Sequence, residues 1–134
     1  MSIVKITDDI YLGNDKYTID DLRTNNICFV VNVGGSDTGL EDYKFHLIDG
    51  YNPIKHYNLI LKKVKEQVNK RKRILVHCRE GKSRSAFVVA LYLARHERIT
   101  VLSAIDEVKK KNKRTEINEE MLKGYMGDVG LYYT

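Results

Sequence analysis

The chain has 134 residues, 43% of them hydrophobic and 31% charged, with a formal net charge of +5. That length suits one domain, expected over residues 1–134, which can bury a core without disulfides or metals. Two cysteines form no framework, no apolar run approaches the roughly 20 residues of a membrane span, and no basic-then-apolar leader opens the chain. A reducing, cytoplasmic setting is therefore expected.

Ile3 to Ile6 and Ile10 to Leu12 read as two short strands with a turn at Asp8-Asp9. Thr18 followed by Asp20 and Asp21 starts a short helix that ends near Asn25-Asn26. Cys28 to Val33 is an apolar, β-branched run stopped by Gly34-Gly35, hence a buried strand with Cys28 in the core. Phe45 to Ile48 reads as another. Asn52-Pro53 looks like a helix start, a capping side chain followed by proline at the first helical position. Ile54, Tyr57, Leu61, Val64 and Val68 then recur at helical spacing to about Asn69. Ile74 to His77 is the next strand. The helix from about Ser83 to His96 is apolar on all sides and must be central. Thr100 caps a further helix with Val101, Ala104, Ile105 and Val108 facing inward, and a last helix begins near Asn118. Strands alternating with helices predict an α/β fold: a small, mostly parallel twisted sheet with helices on both faces. Ligands in such sheets sit beyond the carboxyl ends of the strands, where Cys78 falls.

The run His77-Cys78-Arg79-Glu80-Gly81-Lys82-Ser83-Arg84-Ser85 carries the chemistry. A cysteine with an arginine six positions on is weak evidence alone; its context makes it specific. A strand delivers Cys78 to the sheet edge, Gly81 permits a tight loop, and a helix begins as the loop ends. Unpaired N–H groups and the positive end of that helix then point into the loop. Successive N–H groups from Arg79 to Arg84 can line a concavity the size of a phosphate, with Cys78 beneath it. The same field favours the ionised thiolate, the nucleophilic form. Arg84 offers a planar fork for two phosphoryl oxygens. A buried inert cysteine is the alternative, but packing beside Arg79, Lys82 and Arg84 makes no sense for one. These residues point to a cysteine-dependent phosphatase.

The same nine residues resemble the signature of the dual-specificity branch of the protein tyrosine phosphatase superfamily. Ile10-Tyr11-Leu12-Gly13 is similar to an early strand of that family, Val31-Asn32-Val33 to its core strand, and Arg114 to Asn118 to the segment before its last helix. The departures are Ala86, where relatives often carry proline, and no proline near Asn118. The resemblance implies a metal-independent, cofactor-free phosphatase acting on phosphotyrosine and phosphoserine or phosphothreonine of proteins through a cysteinyl-phosphate. It implies Cys78 as nucleophile, and Arg84 with loop residues 79–84 as the phosphate cradle. Ser85 would help the thiolate leave, and His77 would orient the loop. Asp49, in His46-Leu47-Ile48-Asp49-Gly50, matches the proton donor; Asp42 is the rival, on the wrong side of its strand.

Charge is divided unevenly. Residues 1–50 hold nine acidic and four basic side chains, whereas thirteen of the 23 Lys and Arg lie within 55–73 and 109–114. Solvated helix faces explain such stretches as well as anion steering does. Lys70-Arg71-Lys72-Arg73 resembles a nuclear-entry patch but abuts a strand, which favours a solvated turn. Phosphorylated proteins are the expected partners. Phosphoinositides or RNA 5′-ends are alternatives on the same loop chemistry, because Arg79 and Lys82 add charge at its mouth. A rhodanese-type sulfurtransferase and a noncatalytic phospho-binding module complete the alternatives, and Tyr51 reads either as an ordinary surface-loop tyrosine, the commoner case, or as a ring that stacks on substrate.

Overall fold

The computed structural model describes residues 2–130. Five strands, β1 (Ile3–Lys5), β2 (Ile10–Gly13), β3 (Ile27–Asn32), β4 (Tyr43–Lys44) and β5 (Arg73–His77), form one sheet in the order β1-β2-β5-β3-β4. β2, β5, β3 and β4 run parallel, and β1 closes one edge antiparallel to β2. The helices are α1 (Ile19–Thr24), α2 (Ile54–Asn69), α3 (Arg84–Glu97), α4 (Val101–Lys111) and α5 (Glu119–Asp128). The expected mostly parallel α/β sheet is what forms.

Side-chain alternation splits the core into two layers. Ile10, Leu12, Ile74, Val76 and Val31 face one side, where they pack with Phe87, Leu91, Tyr57, Ile60 and Met121 of the long helices. Tyr11, Leu75, Val30 and Ile27 face the other, covered by Tyr17 and, from its margin, by Leu22 of α1 and Leu40. Both faces are covered, then, but unequally. Ten consecutive residues of α3, Ser85 to Ala94, are buried, which is why that segment is apolar all round. Tyr57, Phe87 and Tyr125 meet edge to face, with ring centroids 5.5–5.6 Å apart, and lock α2, α3 and α5 together.

Three local expectations need correction. Cys28 is exposed: the pairing register with β5 shifts between Ile27 and Phe29, and this bulge turns the side chain out of the core. The strand expected at Phe45–Ile48 is displaced to Tyr43–Lys44, although Phe45 and Leu47 still donate to Asn32 O and Val33 O at 2.9 and 2.8 Å. Asn52 does not cap α2. Pro53 occupies the cap position, and no side chain bonds the first turn. The amide of Asn52 bonds its own loop instead. Thr18, Thr100 and Asn118 do cap α1, α4 and α5, accepting from Asp21, Ser103 and Met121 N–H.

Candidate active site

β5 ends at His77, α3 begins at Arg84, and the six residues between them turn back on themselves. Gly81 makes the turn at φ +72°, and a Cβ there would lie 2.8 Å from Gly13 C and O. No other residue fits both the angle and the space. Three of the loop's carbonyls are taken up by its surroundings. Arg79 O accepts from Asp15 N–H at 3.3 Å, Gly81 O from Asn112 Nδ2 at 3.0 Å, and Lys82 O from Glu116 N–H at 2.8 Å. Most of the loop's N–H groups are left over. Among the described residues, those of Arg79, Glu80, Lys82 and Ser83 donate to no protein acceptor. Such a ring of free donors in a curved backbone is an anion nest.

Cys78 lies at the floor, 2% exposed. Its Sγ receives the Gly81 N–H at 3.3 Å and lies 3.0 Å from Ser85 Oγ, whose hydroxyl is also 3.5 Å from Gly13 O. The Gly81 N–H donates to the sulfur at the mouth of α3, and the Ser85 hydroxyl is its second hydrogen-bond partner.

Arg84 is half-buried on the first turn of α3, and its guanidinium lies flat against Gly34. A Cβ on Gly34 would fall 2.5 Å from Nη1 and 2.7 Å from Cζ; one on Gly35 would fall 2.8 Å from Cys78 C. The Gly34-Gly35 pair therefore does more than stop a strand. It lets the β3 loop close on both the arginine and the cysteine. Asn32, fully buried, holds the pair in place, its Oδ1 accepting both glycine N–H groups at 2.9 and 2.8 Å and its Nδ2 donating to Gly35 O at 3.2 Å. Neither role was visible in advance, though a buried-strand asparagine followed by two glycines is the pattern to look for.

Asp49 reaches the loop from the β4–α2 connection. The Ser83 hydroxyl donates to its Oδ1 at 2.6 Å and itself accepts the Asn118 N–H at 2.9 Å. One hydroxyl thus joins the aspartate, the phosphate loop and the start of α5. Two further ties shape the aspartate's segment. Asn52 accepts from Ile48 N–H at 2.8 Å and donates to Ile48 O, Gly50 O and Tyr57 Oη at 2.8, 3.1 and 3.1 Å. Tyr51 lies against Gly124 and donates to Asp128 at 2.7 Å, so its ring is committed to α5 rather than aimed over the loop. The rival Asp42 is otherwise occupied, accepting from Val30 N–H at 2.8 Å on the edge of β3.

His77 is buried beneath the loop, its ring 4.8 Å from that of Tyr17 and its Nε2 3.4 Å from Glu41 Oε2. Burial pushes the imidazole pKa down against the upward pull of Glu41, so the ring stays neutral at pH 7. Burial pushes the Glu41 carboxyl up, but bonds from Thr38 N–H, Thr38 hydroxyl and Gly39 N–H outweigh it and hold it below the usual range. Arg79 and Glu80 are exposed at the rim, and Lys82 lies 3.6 Å from Glu80. The sequence run from 77 to 85 is thus a single cradle, with Asp49 at its edge.

Residues 10–129 match the family model of the dual specificity phosphatase catalytic domain. The chain belongs to that family. Membership makes it a phosphatase-type catalytic domain. Its sequence is 33% identical over 111 residues to dual specificity protein phosphatase PHS1 of Arabidopsis thaliana, covering 77% of this chain but only 12% of that protein. It is 28% identical over 117 residues to the putative tyrosine phosphatase 123R of Invertebrate iridescent virus 6, covering 83% of this chain and 80% of that one. In structure it resembles human DUSP28, with a TM-score of 0.84 at 20% identity over 96% of this chain and 93% of the other.

Proposed function

We propose that the chain hydrolyses phosphotyrosine and phosphoserine or phosphothreonine esters of proteins through a cysteinyl-phosphate, with residues 1–134 as one catalytic domain. The observation that carries this reading is the buried sulfur of Cys78, with the Gly81 N–H and the Ser85 hydroxyl as hydrogen-bond partners, in a loop whose N–H groups at Arg79, Glu80, Lys82 and Ser83 have no protein acceptor among the described residues. Cys78 attacks phosphorus in line while the N–H groups of residues 79–84 and the Arg84 guanidinium hold the three equatorial oxygens. Asp49, its Oδ1 pinned by Ser83, protonates the departing oxygen from Oδ2 and then draws the proton from the attacking water. Ser85, 3.0 Å from the sulfur, donates to the thiolate as the S–P bond breaks. His77 supports the loop as a packed neutral ring rather than as a proton carrier.

Two observations favour protein esters over phosphoinositides or RNA 5′-ends. Lys82 at the loop mouth is partly neutralised by Glu80. Ile48, 68% exposed beside Asp49, offers an apolar rim to a substrate side chain. Activity on an aryl phosphate that falls by roughly 10³-fold or more in Cys78→Ser, with covalent phosphate trapped on the wild-type protein by rapid quench, is the expected result. A Cys78→Ser protein that turns over normally would overturn the reading, and a wild type that binds aryl phosphate without hydrolysing it would make the domain a phospho-binding module. Comparative kcat/KM on a phosphotyrosine peptide, a phosphothreonine peptide, a phosphoinositide and a 5′-triphosphate RNA decides the substrate class.

A further inference from the structure

At the other end of α3 the protein has a second cationic site. A cavity of about 460 Å³ opens between α2 and α3, and Lys62, Lys65, Arg95, His96 and Arg98 line it. Arg95 follows Arg84 by eleven residues, roughly 16 Å along the helix, and no lining residue belongs to the phosphate loop.

Among the described residues, no ion pair neutralises the charge at this site. No carboxylate lines the cavity, and none of Lys62, Lys65, Arg95 and Arg98 makes an ion pair among the described residues. The one acidic residue of α2, Glu66, is used by Lys63 at 3.7 Å, and Glu97, the one acidic residue of α3, lies outside the cavity. The carbonyl end of α3 offsets only about half a unit charge. Arg95 is nonetheless held in place by neutral groups, donating to Asn58 Oδ1 at 2.8 Å and Tyr125 Oη at 3.1 Å. Tyr92, 7% exposed, forms part of the floor, with its ring stacked on His96 at 5.4 Å and 13°. Burial first, then Asp9 and Glu97, push the Tyr92 phenol pKa up, so it remains a hydrogen-bond donor.

A guanidinium held in place, the ammonium groups of Lys62 and Lys65 around it and a phenol donor below are the groups that bind phosphate oxygens. The volume is that of a small-molecule site rather than of a flat protein contact. We propose that this cavity binds a small ligand carrying two or more phosphate groups, at a site separate from the phosphate loop. The ligand is a free metabolite or the headgroup of a lipid.

The site is testable without turnover. Calorimetry uses the Arg84→Ala protein, which lacks the loop's own anion clamp. The probes are inorganic tripolyphosphate and phosphatidylcholine vesicles doped with a bisphosphorylated inositol lipid. Saturable binding of a probe, weakened at least about tenfold by adding Lys65→Gln and Arg98→Gln, upholds the site. Tripolyphosphate binding alone marks a free metabolite, and vesicle binding marks a headgroup. In the otherwise wild-type chain the same two substitutions leave kcat/KM for an aryl phosphate within about twofold. The ring resonances of Tyr92 and His96 should shift as tripolyphosphate is added. The proposal is overturned if neither probe binds, if the double substitution leaves affinity unchanged, or if those rings are unmoved. It is overturned too if a glutamate-rich peptide of equal charge binds as tightly, which would mark a docking face for acidic protein segments.

Discussion

Gly34 shows how closely the arginine is fitted. A methyl group at that position has nowhere to go but into the guanidinium of Arg84, 2.5 Å from Nη1. Gly34→Ala is therefore expected to swing Arg84 out of line with the loop and to lower kcat/KM by on the order of 10²-fold, the effect of misplacing a reacting partner by about an ångström. Thermal stability should change little, because Arg84 can move toward solvent; a melt alongside the kinetics separates the two effects. Asp49 is exposed, and one strong bond from Ser83 fixes it. Asp49→Asn should slow turnover by about 10²–10⁴-fold for alkyl esters, whose leaving oxygen needs a proton, and far less for nitrophenyl esters. Equal losses for both ester types would remove Asp49 from the acid role.

Between elements, the structure holds the site by tying loops to one another. The segment carrying Asp49 has only fragments of regular structure, and Asn52 folds it by accepting one bond and sharing its two amide hydrogens among three acceptors. Asn52→Ala leaves the Ile48 N–H and the Tyr57 hydroxyl without that partner, and is expected to destabilise the protein by about 1–3 kcal/mol in a denaturant melt. Its catalytic loss should follow the leaving-group pattern of Asp49→Asn, because the acid is what becomes misplaced. An unchanged melting curve would mean that water replaces the amide without cost. The segment from Asn112 to Asn118 has the same kind of role on the opposite side of the loop, with three hydrogen bonds to residues 81–83.

For the whole molecule, two buried ionisable groups link stability to pH. His77 has a folded pKa below its ordinary 6.5, so between those values the unfolded chain binds more protons than the folded one. Stability is then complete above about pH 6.5 and falls as acid carries the solution down through the folded value. Glu41 acts in the same direction lower down: its pKa lies under 4.5, and its contribution is lost as pH falls through that folded value. Melting temperature should therefore be level near neutrality and decline in two acid stages. A His77→Gln protein should lose the upper stage and keep the lower. If the two proteins decline in parallel from pH 6.5, the histidine is not the source of the upper stage.

Sequence alone determined the alternation of elements, the apolar character of α3 and the nine-residue run from His77 to Ser85 between a strand and that helix, because each is written in consecutive residues. Chain-local chemistry decides these features: a period of two or four, a capping hydroxyl, a glycine in a turn. Tertiary structure decided what depends on residues far apart in the chain. Cys28 looked like core until a bulge against β5 turned it outward. Asn52 looked like a cap until the loop from 48 to 52 closed around its amide. Gly34 looked like a stop signal until Arg84, fifty residues on, lay against it. The cationic cavity needed α2 and α3 side by side before Lys62 and Lys65 could be seen to share a site with Arg95 and Arg98. Hydrogen bonds and charges act over a few ångströms, and distance along a chain says little about which groups come that close.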